Sequence, residues 1–518
     1  MPALLQPECI RNVLTFIPSP EVAIRLLRSL PSECLDEALA SLLKLAYVLE
    51  LNDLWPVLHV RKITHPSTME RIHCALSLYK DAHVYDPRAL VELASAPTIR
   101  IILHTSNESG WMTSFQENSV MDCITALNMN ASQLSTNSLN QIIMPVELCS
   151  SLVEINLQLT SAQNSAVKDV IERLPNCSNL VDVKISKMDK SEALMLEEHS
   201  VKQLVTWINS RNVKKFHFTS IDTEVLADTV AAALLCSSSI ESIALNKANH
   251  LAQALLELTS SWPPHLTNLE LNTNRLTIDP TIFDSLEGST LRHFDINSTY
   301  LGLLGVEILA AKLTNMPNLT SLNLSSIMSN HVRMDAAYLQ TDHECCKQVA
   351  QALTFMNNLV VLELARNRIQ DADIEILVQA LPQTLEVLDL SSNHIRNAGV
   401  YSLSGMAECL PNLRVLRLKG NAFGNEGARI FGKGLWLWRS LEELSFLGRE
   451  MDMYGIILML RALCRCQQPV VRLDVGGPFT RKMFDDKKIS QEANQLNLID
   501  NKPIFITCPR SQTTVPIK

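Results

Sequence analysis

Gly427-x-x-x-x-Gly432-Lys433 has the glycine and lysine spacing of a phosphate-cradling loop, but Gly434 stands where a hydroxyl would meet magnesium. Such a loop must leave a strand and open a helix, whereas the apolar spacing here predicts the helical half of a repeat. Nucleotide binding is therefore not expected. Cys345-Cys346 and Cys464-x-Cys466 carry thiols that zinc could take. Structural zinc needs four converging ligands, usually from two paired motifs, and no second pair stands at a suitable spacing. The 13 cysteines are odd in number and lack a recurrent spacing, so most are expected to pack as small buried thiols. The 13 histidines read as dispersed, without His-Glu-x-x-His, and no Gly-x-Ser-x-Gly elbow appears. No catalytic residue, metal ligand or cofactor site is singled out. The chain reads as a binder of another macromolecule rather than an enzyme.

Charge narrows the class of partner. The formal net charge is −9, which offers no global basic field to DNA or RNA. Hydrophobic residues are 47% and charged residues 19%, enough apolar material to fold. No run reaches the roughly 18 apolar residues of a membrane-spanning helix. Residues 1–8 lack the basic and apolar pattern of a secretory leader. A cytoplasmic or nuclear protein is expected, with no nucleic acid or membrane partner, and with the sequons at Asn107, Asn297 and Asn318 unused.

The element that positions everything else is a repeat. Leu359-x-x-Leu362-x-Leu364-x-x-Asn367-x-Ile369 returns from Leu385 and again from Leu413, at steps of 26 and 28 residues. Looser copies start at Leu319, Leu291, Leu266, Ile240, Val213, Leu180, Leu152 and Ile124, with weak ones at Ile99 and His73. Leu441 and Val470 continue the series forward. The first half of each unit alternates apolar and polar residues, the pattern of a short strand with one buried face. Asn274, Asn367, Asn393 and Asn421 stand where their amides can satisfy backbone groups at the strand end. The second half reads as a helix, as in the stripe Ile374, Leu377, Val378, Leu381. Pro175, Pro317 and Pro411 end such helices, because the residue before proline disfavours helical geometry. One unit cannot bury its apolar face alone, so units must stack.

This pattern resembles the leucine-rich repeat. Unit length and the Asn397-Ala398-Gly399 and Asn425-Glu426-Gly427 segments are similar to the ribonuclease-inhibitor-like subfamily. The resemblance covers roughly residues 120–476 and implies an α/β solenoid that binds proteins. Its expected form is a curved horseshoe, with parallel strands on the concave face and helices on the convex face. Residues 1–60 are expected as an N-terminal helical cap, residues 61–476 as the array (clearest over 264–450), and residues 477–518 as a C-terminal cap and partly disordered tail. In the cap, Ile10, Val13, Leu14 and Ile17 form one stripe and Val22, Leu26, Leu27 and Leu30 a second. The stretch Leu5 to Ile17 also resembles the start of an F-box. That resemblance implies an adaptor of a cullin-type ubiquitin ligase, with a ligase adaptor subunit as partner. Gln6 departs from its opening Leu-Pro pair, and a plain cap needs the same apolar stripe. The surplus between Leu319 and Leu359, near Met328 to His343, reads as a surface loop.

The repeat geometry also picks out a candidate site. Side chains between the paired leucines point away from the core in one row, with neighbours about 4.8 Å apart across strands. That row runs Asn156, Lys184, His217, Ala244, Glu270, Asp295, Asn323, Glu363, Asp389, Arg417, Ser445 and Asp474. Like charges so close destabilise one another, and a partner with a basic surface would relieve them. Glu270, Asp295, Asn323, Glu363, Arg366, Asp389 and Arg417 are the candidate partner-binding residues. A small-GTPase regulator is a further reading, because an activator family shares this repeat type; Arg366 and Arg417 would be its available arginines.

Overall fold

In the computed structural model, nearly every repeat start read from the sequence lies two residues ahead of a strand. Residues 6–475 are described apart from 62–64, 86–88, 90–92, 94–99, 106–121, 132–138, 140–143, 190, 329–335 and 466–471, and the backbone is described again at 505–507 and 514–516. The chain forms two compact units, Met1–Ile240 and Glu241–Lys518.

The first unit opens with helices Pro7–Leu14, Pro20–Ser29 and Glu37–Leu45, as the stripes predict. Asp36 joins two of them: one carboxylate oxygen accepts from Leu39 N at the third helix's start, and the other accepts from Arg11 Nη2 at 2.6 Å. The stripes differ in detail. Ile10, Leu14, Ala23, Ile24 and Leu27 face inward, while Val13 and Val22 are 48% and 49% exposed. The sheet begins inside the stretch assigned to the cap, with β1 at Leu58–Val60. It continues in parallel through β2 (Asp81–Val84), β3 (Arg100–Thr105), β4 (Ile124–Asn130), β5 (Glu154–Leu159), β6 (Asp182–Lys187) and β7 (Lys215–Thr219). His73 does not start a repeat. It lies in the helix Pro66–Ala75, whose buried Met69, Ile72 and Ala75 make a helical stripe that a strand template misread. Ile99 lies outside the described residues.

The second unit carries β8 (Ser242–Asn246), β9 (Asn268–Glu270), β10 (His293–Asp295), β11 (Ser321–Asn323), β12 (Val361–Glu363), β13 (Val387–Asp389), β14 (Val415–Arg417), β15 (Glu443–Ser445) and β16 (Arg472–Asp474), again parallel and in chain order. Leu322, Leu362, Leu388, Leu416 and Leu444 face one another in successive strands. All are at most 1% exposed. Burying such a side chain is worth about 1.5–3 kcal/mol, and here each leucine has the leucines of neighbouring strands beside it.

Two side-chain ladders lock the register. Asn393 Nδ2 donates to Leu364 O at 3.0 Å and Leu390 O at 2.9 Å, while its Oδ1 accepts from Asn367 N at 2.8 Å and Ile369 N at 3.2 Å. Asn421 and Asn367 bond in the same manner one repeat on and one repeat back. The residue before each ladder asparagine adopts positive φ: Thr273, Arg366, Ser392 and, as glycine, Gly420. The three non-glycine residues carry a left-handed strain of about 1–2 kcal/mol each, held by the bonds around the asparagines. The second ladder is at the helix starts. Asn397 Oδ1 accepts from Gly424 N and Gly427 N, as Asp371 Oδ1 does from Arg396 N and Gly399 N. A Cβ at Gly427 would lie 2.9 Å from Asn397 Oδ1, and one at Gly399 would lie 2.6 Å from Asp371 Oδ1. The Asn-x-Gly spacing thus exists so that one helix start can bond the next.

The expected surface loop near Met328 to His343 is corrected in part. Residues 329–335 lie outside the described residues, but from Ala336 the chain is already helix, in an 18-residue helix Ala336–Leu353. Ala-Ala-Tyr-Leu-Gln are good helix formers, and their helix runs into the buried Cys345, Cys346, Val349, Ala350 and Leu353. Most of the expected tail also lies outside the described residues. The exceptions are the Phe505–Thr507 strand, parallel to β16, and its antiparallel partner Thr514–Pro516.

Asn393→Ala would orphan the Leu364 carbonyl and the amides of Asn367 and Ile369 in the interior, while Leu390 O keeps its bond from Asn421 Nδ2. It should cost about 2–4 kcal/mol and lower the urea midpoint; an unchanged midpoint would remove the ladder from the account of stability.

Candidate protein-binding face

The strands set the row. Glu270, Asp295, Asn323, Glu363, Asp389, Arg417, Ser445 and Asp474 stand opposite one another in strictly successive register across β9 to β16. In the first unit Asn156, Lys184 and His217 do the same across β5, β6 and β7. Alternation along each three-residue strand sends the central leucine to the core and the flanking side chains to the open face. The row is partly sunk: Asn323 and Ser445 are buried, and Glu363, Asp389 and Arg417 are half-buried. Arg366 is not on a strand. It is an exposed turn residue held at positive φ, so it belongs to the rim of the face rather than to its row.

The acidic ladder divides into two parts. At its C-terminal end the charges are met from within the chain. The Arg417 guanidinium lies 3.9 Å from Glu363, 3.8 Å from Asp389 and 3.9 Å from Glu443, shared among three carboxylates. Lys419 lies 3.1 Å from Asp474, and Arg414 makes a two-pronged contact with Glu442. Glu363 and Asp389 thus meet a cation from within the chain, an arginine two strands from Glu363 that reaches both. Glu270 and Asp295 have only amide donors. Asn268 Nδ2 reaches Glu270 at 3.3 Å; Asn272 Nδ2 reaches Asp295 at 3.1 Å and Asn297 N does so at 3.0 Å. Neither carboxylate joins an ion pair among the described residues.

Burial pushes the carboxyls of Asp295 and Glu363 up from their ordinary range. Glu270 adds to the rise at Asp295, and Asp389 adds to it at Glu363, against the opposing Arg417. A buried carboxyl, Asp342, is pushed up to about 6 by burial although Arg368 lies 3.7 Å away.

The sequence missed a cluster in the first unit. Leu58-His59-Val60 and Ala82-His83-Val84 each place one histidine between apolar neighbours on β1 and β2, and His104 follows Leu103 on β3. His83 Nδ1 lies 2.7 Å from His104 Nε2, His59 Nδ1 lies 3.1 Å from the Tyr85 hydroxyl, and the Tyr85 and His104 rings stack at 4.4 Å. The repeated apolar-His-apolar triplet was the available signal. Burial lowers all three imidazoles, His104 to about 4, so the cluster is neutral at pH 7. No group of three or more His, Cys, Asp or Glu among the described residues converges as a metal site. Cys345 and Cys346 are buried thiols, Cys466 lies outside the described residues, and Gly427 to Gly434 lie within the helix Asn425–Gly434.

The model of the leucine-rich-repeat family matches residues 382–404 and 409–429, two repeats whose strands and asparagines are those described above. The chain carries leucine-rich repeats. It is 30% identical over 168 residues to ribonuclease inhibitor of Sus scrofa, which covers 32% of this chain and 33% of that protein. It is 27% identical over 216 residues to NACHT, LRR and PYD domains-containing protein 5 of Bos taurus, covering 40% of this chain and 19% of that one. The chain thus spans a third or less of the length of these relatives. Among solved structures, an internalin of Listeria monocytogenes covers 66% of this chain and 86% of its own at 16% identity, with a TM-score of 0.33. Leucine-rich-repeat proteins act generally in protein binding. Among the described residues, no helix is long and apolar enough to cross a membrane.

The raised carboxyls fix the sign of one pH effect. Protonation of Glu363 is favoured by folding, so its contribution is fully present below the unfolded pKa and is lost as pH rises through the folded one. Glu363→Gln should therefore be more stable than the parent at pH 7, with the gap closing toward pH 4. Urea titrations across that range test this, and a gap that widens on acidification contradicts it.

Proposed function

We propose that this leucine-rich-repeat protein is a non-enzymatic scaffold or receptor that holds a protein partner on the open strand face of its second unit. The observation that supports this reading is the pair Glu270 and Asp295: adjacent half-buried carboxylates, in register, with amide donors and no ion pair among the described residues. A lysine or arginine of a partner would supply that cation in a setting where water screens it poorly. Asn323, Glu363, Asp389 and Arg417 continue the same row, and Arg366 borders it. Arg417 holds the downstream acids, so the partner's basic groups enter at the β9–β10 end. The ribonuclease inhibitor to which the chain is similar is, by its name, a protein that acts on another protein, which agrees with this class of work.

Affinity capture with the full chain, followed by mass spectrometry, should be compared with a Glu270→Lys/Asp295→Lys variant and a Glu363→Lys/Asp389→Lys variant. The first variant should lose a partner with a basic surface by at least about tenfold, and the second should weaken it less. Partners retained equally by both variants, with their melting curves unchanged, would dismiss the strand-face reading.

One observation favours a second reading, a ligase adaptor of the F-box type. The three N-terminal helices leave Val13 48% exposed and Phe16 86% exposed beside the first of them, an apolar surface that a plain cap has no need of. The full chain should then pull down a purified ubiquitin-ligase adaptor subunit, and Phe16→Asp should abolish the capture. Failure of the full chain to bind any such subunit removes this reading and leaves the first untouched.

A further inference from the structure

The helical side of the second unit carries aromatic side chains that its core does not use. Tyr401 is 69% exposed and Trp436 is 59% exposed. Val400, Leu403, Ala428, Phe431 and Leu435, on the same helices and the turn that follows, are all buried and complete the inward face without them. Tyr401 and Trp436 line a groove of about 690 Å³ between the helix Asn397–Ser404 and the segment from Asn425 to Leu437. Gly434 helps to keep it open: a Cβ there would meet Ser404 at 3.5 Å, and a longer side chain would fill the space. The volume is within the usual range for sites that enclose a ligand group, about 300–1,000 Å³.

The charges around the groove have a definite sign. Its ionised lining residues are Glu426, Arg429 and Lys433. Glu426 is already taken by Arg429, whose Nε donates to it at 2.6 Å and whose Nη2 donates as well. That leaves the exposed Lys433 ammonium as the net charge of the lining, on a chain whose overall charge is −9. An anionic ligand is repelled by most of this surface and drawn here. Exposed tyrosine, tryptophan and arginine beside one groove is also the composition that dominates binding energy at protein interfaces.

We propose that this groove docks an acidic segment of a partner protein, seating one large apolar side chain between Tyr401 and Trp436 and a carboxylate beside Lys433. The site is distinct from the strand face. It takes a ligand of opposite charge on the other side of the same repeats, so each can fail without the other.

The test is selection of random displayed peptides on the immobilised full chain, with affinities measured by Trp fluorescence and calorimetry. Enriched peptides should combine Asp or Glu with Leu, Phe or Trp. They should bind Trp436→Ala and Lys433→Glu at least about tenfold more weakly, Tyr401→Ala more weakly too, and Glu363→Lys/Asp389→Lys as well as the parent. All three groove positions are solvent-exposed or line the open groove, so melting curves should be unchanged, and Lys433→Glu tests the charge without removing packing. Peptides that bind Lys433→Glu and Trp436→Ala as tightly as the parent, a basic consensus, or no consensus would each overturn the proposal.

Discussion

The structure rests on leucines that stand against the next copy of themselves. Leu362, Leu388 and Leu416 contribute to stability because they stand in register, and a shift of one residue would turn them to solvent. The asparagine ladder prevents that shift. Asn367, Asn393 and Asn421 are at most 1% exposed, and each joins carbonyls and amides of neighbouring repeats, so a slipped strand would leave several buried polar groups unpaired at once. Hydrophobic burial thus drives the stacking, and the amides set its alignment.

That same alignment creates the chemistry of the open face. Register forces outward side chains into a line whether or not their charges suit one another. Where a cation happens to fall in the line, as Arg417 does, it offsets part of the charge of carboxylates on three strands. Where only amides fall, as around Glu270 and Asp295, no ion pair among the described residues does so. Burial between neighbouring strands then raises the proton affinities of Asp295 and Glu363. The electrostatics of the face follow from packing rather than from any arrangement local to one repeat.

The helical side obeys a different rule. A helix has a full circumference, and the repeat core uses only one stripe of it. The remaining positions of the Asn397–Ser404 and Asn425–Gly434 helices are therefore released from the needs of the fold. Tyr401 and Lys433 occupy such positions, and Trp436 lies in the turn Leu435–Leu437 that follows the second helix.

The sequence alone determined the repeat starts, the inward leucines, the asparagines that bond the backbone and the order of residues along the open row. Each of these depends on spacing within one repeat, and spacing is what a chain displays. Tertiary structure decided whatever depends on distance between repeats. Arg417 reaching back to Glu363, the three histidines meeting across β1 to β3, and Asp342 meeting Arg368 join residues 21 to 54 positions apart, and no spacing within one repeat pairs them. It also decided the facing of Val13 and Val22 and the helix that replaces an expected loop at Ala336. Polar composition gives a residue's affinity for water, but only the packed neighbours determine whether water is there.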